Sequence, residues 1–222
     1  MSGAGEAPLE WAARERAAAR RGVRRRVTAW LGINQAARRA DALTARVEHG
    51  VVGEQWTAAL LSRLPAGWTV FYGRKLPGYA NDYDALLVPP SGDAVIAADT
   101  KRWRRSRGWQ TTLRAGRVYC GPEDRHDQIE KAARAARRLE RALAVPGVRV
   151  WPMLVVHGSR IAAPPFPAGR LEARAPDWDG VVHVLGPEYL VPTLVASVKG
   201  PADPGRAVWL AQRVNTVLPP YR

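Results

Sequence analysis

Two carboxylates and one ammonium group stand at the ends of two neighbouring apolar segments. Asp99 and Lys101 follow one apolar run, and Asp84 begins the run 85–88 upstream. Residues two apart on a strand point to the same face, so Asp99 and Lys101 share one. The Pro-Pro-Ser-Gly segment 89–92 favours a turn, and a hairpin would bring the three side chains together. Two acids and a lysine at one sheet edge suit a divalent metal and a phosphate, which indicates phosphodiester hydrolysis.

Each of these residues also has a purely structural interpretation. Asp84 is consistent with a turn cap or an exposed charge at a strand end. Asp99 follows an apolar run, so it emerges from a buried strand and needs a partner, which Lys101 supplies in a plain ion pair. Glu54 lies at the start of a predicted helix, where the helix dipole alone favours an acid.

The hydrophobic pattern predicts the elements that carry these residues. The predicted helices cover 50–64, 124–144, 187–197 and 204–218, and the predicted strands cover 68–72, 82–88, 94–101, 117–120, 148–156 and 181–185. Apart from the strand at 117–120, we expect the basic segment 102–121 and the Pro-rich segment 161–179 to be surface loops. Strands followed by a helix and a further strand predict an α/β fold with a mixed β-sheet flanked by helices.

Composition restricts the class of protein. The 222 residues are 46% hydrophobic, enough for one buried core, and no apolar stretch reaches the roughly 20 residues needed to span a bilayer. Cys120 is the only cysteine, so the chain cannot form an internal disulfide, and we expect a reducing, cytoplasmic location. The dispersed histidines give no zinc spacing, and no Gly-rich loop indicates a nucleotide cofactor.

The charge balance indicates a polyanionic partner. The net charge is +14, which favours nucleic acid, with DNA expected rather than RNA, and no membrane. Compositional drift is the alternative, because all but four of the 34 basic residues are arginine. Such a bias changes the type of basic residue more readily than the net balance. Lys101 is one of the four lysines, which suggests a position where arginine does not serve.

The chain divides into three parts. Residues 1–46 are rich in alanine and arginine and predict a basic helical N-terminal arm, either solvated or following a phosphate backbone. Residues 47–200 predict the compact domain. Residues 201–222 predict a C-terminal helix packed on that domain.

A set of motif residues resembles the NERD (nuclease-related) domain of the PD-(D/E)XK nuclease-like superfamily over residues 48–160. In chain order these residues are Gly50, Gly53, Glu54, Asp84, Asp99, Lys101, Trp103 and Gln128. They reproduce a helix that opens with Gly-x-x-Gly-Glu, an Asp before an apolar strand and its turn, an acid-x-Lys-x-Trp strand end, and a later Gln. The family usually has Glu where this chain has Asp99.

The resemblance implies a restriction-endonuclease-like fold and an Mg²⁺- or Mn²⁺-dependent nuclease that hydrolyses nucleic-acid phosphodiester bonds. It implies Asp84 and Asp99 as metal ligands, with Glu54 binding through water or orienting a ligand. Lys101 would position water or offset charge on the phosphate, and Gln128 would hold water or a phosphate oxygen. The alternatives are a nucleic-acid-binding module without catalysis, and a scaffold whose basic arm meets an acidic protein.

Basic and aromatic residues beside these positions are expected to contact nucleic acid with little base specificity. They are Arg102, Trp103, Arg104, Arg105, Arg107 and Trp109, together with Lys131, Arg134 and Arg138 on the helix after Gln128. A solvated loop for the arginines and core packing for the tryptophans are the alternatives.

Overall fold

A computed structural model describes residues 13–15, 17, 50–79, 82–103, 108–162, 169–176 and 178–220. Its strands are β1 (Thr69–Lys75), β2 (Asp82–Val88), β3 (Ala94–Arg102), β4 (Gln110–Arg114), β5 (Arg117–Cys120), β6 (Glu123–Asp124), β7 (Arg149–His157), β8 (Arg160–Ile161), β9 (Arg170–Ala173) and β10 (Val182–Leu185). Its helices are α1, whose described part covers 50–61, α2 (His126–Leu143), α3 (Pro187–Ser197) and α4 (Pro204–Val217).

The main sheet has six strands in the order β1-β2-β3-β7-β10-β9. The pairs β3–β7 and β7–β10 are parallel, and the other neighbours are antiparallel. A smaller sheet has the order β6-β5-β4-β8. The predicted α/β class and the mixed sheet flanked by helices are therefore confirmed.

Alternation along the central strands produces two buried layers. Leu86 and Val95 face α2 and α4, where they pack with apolar residues such as Leu139 and Leu210. The intervening residues, including Ile96, face α1 and α3 on the opposite side of the sheet. Period-two alternation places successive side chains on opposite faces, and this sheet is covered on both. Within the described part of the chain, no helix is both long and apolar enough to cross a membrane.

The prediction that residues 161–179 form only a surface loop is wrong. They contain β9, whose Leu171 and Ala173 are buried and which pairs with β10 at the sheet edge. The excursion 102–121 likewise contains β4 besides the predicted strand at 117–120. The predicted arm 1–46 lies outside the described residues apart from 13–15 and 17, which are helical.

The turn between β2 and β3 is held against the N-terminus of α4. The backbone N–H of Asp203 donates to the carbonyl of Pro90 at 2.9 Å, and the Asp203 carboxylate accepts from the backbone N–H of Arg206 at 2.9 Å. Gly92 closes the turn with a φ of 61°. A Cβ on Gly92 would lie 2.5 Å from the backbone nitrogen of Ala207. This contact requires glycine both for its conformation and for the close approach of α4.

We expect Gly92→Ala to destabilise the protein by about 3 kcal/mol, because the methyl group collides with backbone and the backbone is strained. Chemical denaturation measures the loss. Gly147→Ala is the matched control, since Gly147 has a φ of 77° but an added Cβ would meet nothing within 4 Å. Equal losses for the two variants would show that the α4 contact contributes nothing.

Candidate active site

Asp84 sits where the ladders on both sides of β2 are interrupted. The β2–β3 pairing stops at Ala85↔Ala98, and the β1–β2 pairing skips Gly73, which has a φ of 54°. The backbone N–H of Thr100 donates to Asp84 Oδ2 at 2.6 Å. A side-chain carboxylate thus replaces the backbone acceptor that a continuous ladder would supply, which fixes Asp84 against β3.

Asp99 and Lys101 form an ion pair at the end of β3. Lys101 Nζ lies 2.7 Å from Asp99 Oδ1 and 2.5 Å from Oδ2, and the two side chains keep 31% and 35% of their surface exposed for Lys101 and Asp99 respectively. β3 remains paired with β7 through both residues, opposite Leu154 and Val156, so their spacing on one face is fixed by the sheet. The pair is accessible to a ligand as well as being structural.

The acids and the lysine line a cleft of about 330 Å³ between the β2–β3 ends and α2. Its lining residues are Asp82, Tyr83, Asp84, Ala97, Ala98, Asp99, Lys101, Gln128, Lys131, Ala132 and Ala135. The structure therefore brings together four of the five predicted catalytic residues and one predicted nucleic-acid contact. The Tyr83 hydroxyl donates to the Ala135 carbonyl at 2.9 Å and ties β2 to α2 across the cleft.

Asp82 and Tyr83 are lining residues that the sequence interpretation did not select. Asp82 is exposed, and it contributes a third carboxylate to the cleft. Its position two residues before Asp84 was the available signal, because such residues share a strand face. Tyr83 gave no comparable signal, since its contact with α2 joins residues 52 positions apart.

Negative charge is concentrated around Lys101 in the cleft. Burial, and then the neighbouring Asp99 and Glu54 carboxylates, raise the pKa of Asp84 well above its ordinary value, although Lys101 and the Thr100 N–H oppose this. Burial lowers the pKa of Lys101, but Asp99, Asp84 and Glu54 outweigh it and raise that pKa overall. Lys101 is therefore charged at neutral pH, and the acids around it favour a further cation.

Glu54 approaches the acids from α1 and does not line the cleft itself. Burial raises its pKa, and Asp82 and Asp99 raise it further. The approach of α1 depends on Gly53, where an added Cβ would lie 3.2 Å from the methyl carbon of Thr100. Glu54 is therefore near enough to act on the other acids electrostatically, which is compatible with the water-mediated role that the resemblance implies.

Trp103 is buried, with 4% of its surface exposed, and its indole N–H donates to Gln128 Oε1 at 3.0 Å. The prediction that Trp103 stacks on nucleic acid is wrong, because its ring lies in the core. An indole nitrogen only donates, so the Gln128 carbonyl oxygen must face it. The amide nitrogen of Gln128 is then the group left for the cleft, as a hydrogen-bond donor suited to a phosphate oxygen.

We expect Gln128→Glu to weaken nucleic-acid binding by about ten-fold while the protein stays folded. One carboxylate oxygen would still accept from Trp103, and the other would bring negative charge to phosphate in place of a donor. Fluorescence anisotropy with a labelled oligonucleotide in EDTA measures the change. Gln128→Met keeps the side-chain length without the donor or the charge, so it should bind more weakly than the parent and more tightly than the Glu variant; binding by Gln128→Met equal to that of the parent would contradict the donor role.

The other predicted nucleic-acid contacts are divided among several places. Arg102 lies over the Trp56 ring at 4.9 Å beside α1, and Trp109 is half-buried against Gly121. Arg104, Arg105 and Arg107 lie outside the described residues. On α2, Lys131 pairs with Asp127 at 3.0 Å, Arg134 pairs with Glu130 at 3.4 Å, and Arg138 lies over Tyr79 at 4.6 Å. Lys131 is the member of this set that lines the cleft.

The donor set fits a hard divalent cation bound by two carboxylates. Among the residues that the structure describes, no group of three or more His, Cys, Asp or Glu is placed to hold a metal ion. Mg²⁺ typically takes only one or two carboxylates and completes its shell with waters and phosphate oxygens. Asp84 and Asp99, at one cleft with excess negative charge, supply that number.

Searches of protein-family models, of curated proteins and of solved structures give no match to this chain. The site must therefore be interpreted from its own geometry and charge.

Proposed function

We propose that the protein is a metal-dependent nuclease that hydrolyses phosphodiester bonds of nucleic acid, DNA rather than RNA, with little base specificity. The observation that carries the proposal is the cleft in which Asp84, Asp99, Lys101 and Gln128 meet, with Lys131 at its side. The net charge of +14 supports a polyanionic substrate, because it attracts such a substrate to a cleft whose acids alone would repel it. The order and spacing of the motif residues support a restriction-endonuclease-like version of the α/β fold.

The residues have distinct roles in this proposal. Asp84 and Asp99 would hold Mg²⁺ or Mn²⁺, which when bound lowers the pKa of a water and screens the scissile phosphate. Asp84 is preorganised for this by the Thr100 N–H, and Glu54 adds negative charge from α1. Lys101 places a positive charge at the same point and offsets charge that develops on the phosphate. Gln128 donates a hydrogen bond to a phosphate oxygen.

The proposal is tested by incubating the purified protein with single-stranded, linear duplex and supercoiled DNA, and with RNA, in Mg²⁺, Mn²⁺ or EDTA. We expect cleavage with either metal and none in EDTA. Cleavage of the supercoiled form would identify endonuclease action.

The proposed location is the cytoplasm. A chain with a single cysteine cannot form an internal disulfide, which is typical of proteins in a reducing compartment.

A nucleic-acid-binding module without catalysis is the second candidate. The observation that favours it is the contact of Lys101 Nζ with both carboxylate oxygens of Asp99, which satisfies that acid internally. A protein that binds DNA in EDTA and cuts no substrate with either metal would support this candidate against the nuclease.

A further inference from the structure

An aromatic ring and a guanidinium group lie against each other beyond the end of the cleft. The guanidinium carbon of Arg138 on α2 lies 4.6 Å from the centre of the Tyr79 ring. Tyr79 keeps 40% of its surface exposed, and Arg138 is exposed too. Such a pair joins an exposed aromatic ring to a positive charge, and a nucleobase can stack on it.

Tyr79 is held by a tight turn anchored in the core. Its backbone N–H donates to the Leu76 carbonyl at 3.2 Å. Leu76 is buried in the apolar layer between the main sheet and the helices α2 and α4. Pro77 occupies the second position of the turn, and Gly78 occupies the third with a φ of 82°. This is the pattern of a type II turn, which fixes the backbone on which the ring is carried. The ring is therefore presented without the entropy cost of ordering a long loop.

The pair continues the polar side of the cleft along α2. Gln128, Lys131 and Ala135 line the cleft, and Arg138 lies seven residues after Lys131, two turns further on the same side. The rise of an α-helix puts Arg138 about 15 Å from Gln128 along the axis. That length spans several phosphates of a nucleic-acid strand.

We propose that Tyr79 and Arg138 form a stacking platform for an unpaired base of single-stranded nucleic acid. The strand would run along α2, past Lys131, and reach Asp99 and Gln128 at the other end of the cleft. The substrate is single-stranded because bases inside a duplex stack on one another and offer no free face to the ring. The inference rests on the proposed function for the identity of the ligand, and it adds a substrate class and a path.

The test measures binding in EDTA, where cleavage is excluded. Fluorescence anisotropy compares a labelled single-stranded oligonucleotide with a duplex of equal phosphate number. We expect Tyr79→Ala to weaken single-strand binding about ten-fold and to leave duplex binding within about two-fold. Tyr79→Phe should bind as the parent does, because it keeps the ring. Arg138→Lys should lose part of the single-strand affinity, since it keeps the charge but not the planar group.

Trp56 provides a matched control. Trp56 is 47% exposed, and Arg102 lies 4.9 Å from its ring, so the two form the same kind of pair as Tyr79 and Arg138. Trp56 lies on α1, however, and not along the proposed path on α2. Trp56→Ala should leave single-strand affinity unchanged. The platform is overturned if Tyr79→Ala changes nothing, if it weakens both ligands equally, or if Trp56→Ala causes the loss instead. Binding through Tyr79 without any cleavage would overturn the nuclease proposal alone, whereas cleavage with unchanged Tyr79→Ala binding would overturn the platform alone.

Discussion

Asp99→Ala is expected to abolish metal-dependent cleavage, with a loss of about a hundred-fold or more in rate, and to spare nucleic-acid binding. Asp99 lines the cleft at the end of β3, and it is one of two carboxylates available there for a metal. Its removal also takes negative charge away from the place where phosphate would lie. Affinity for DNA in EDTA should therefore stay constant or increase.

Asp93→Asn is the matched control, because Asp93 lies on the same hairpin just before β3 begins. Asp93 lies six residue steps of extended chain before Asp99, which is about 20 Å. Cleavage by Asp93→Asn should equal that of the parent. Asp99→Asn should resemble Asp99→Ala in cleavage but keep an acceptor for Lys101. If the Asp99→Ala protein cuts as fast as the parent, Asp99 has no role in cleavage and its assignment as a metal ligand is wrong.

The hairpin and α2 were predictable because their patterns are local. Apolar runs with a Pro-Pro-Ser-Gly turn predict β2 and β3, and a 3.6-residue period predicts α2 almost to its ends. Strand alternation placed Asp99 and Lys101 on one face, and the hairpin turn brought Asp84 to the same edge. By contrast β9 is four residues long within a Pro-rich segment, and its place depends on pairing with β10 rather than on its own pattern.

Side chains whose role depends on distant contacts were harder to place. Trp103 follows a basic strand end, which favours a surface position, yet the indole is buried and bonded to Gln128, 25 residues away. Continued alternation from Lys101 to Trp103 was the one signal that the ring faces α2. Tyr79 was readable as the end of a Pro-Gly turn, but its contact with Arg138 is set by the packing of α2 on the sheet.

Asp84→Asn should abolish cleavage and make the protein more stable at neutral pH. The amide oxygen can still accept from the Thr100 N–H, which donates to Asp84 Oδ2 at 2.6 Å, so the local geometry is retained. What is lost is a carboxylate whose pKa is raised by burial, and then by Asp99 and Glu54. Asp84, Asp99 and Glu54 lie around Lys101, so removal of one negative charge reduces the repulsion among the acids. We expect a gain of about 1 kcal/mol, or roughly 2–4 °C in Tm.

The pH dependence separates this explanation from a general packing effect. A carboxyl whose pKa is higher in the folded than in the unfolded protein binds more protons when folded, so its contribution to stability falls as pH rises. The fall begins near the ordinary pKa of 3.8 and ends above the raised value. Thermal denaturation should therefore give equal Tm values for parent and Asp84→Asn at acid pH and a widening gain for the variant towards neutral pH. A variant that is less stable than the parent at neutral pH would contradict this explanation. It would show that the attraction between Lys101 and the Asp84 carboxylate stabilises the fold by more than burial and the neighbouring acids destabilise it.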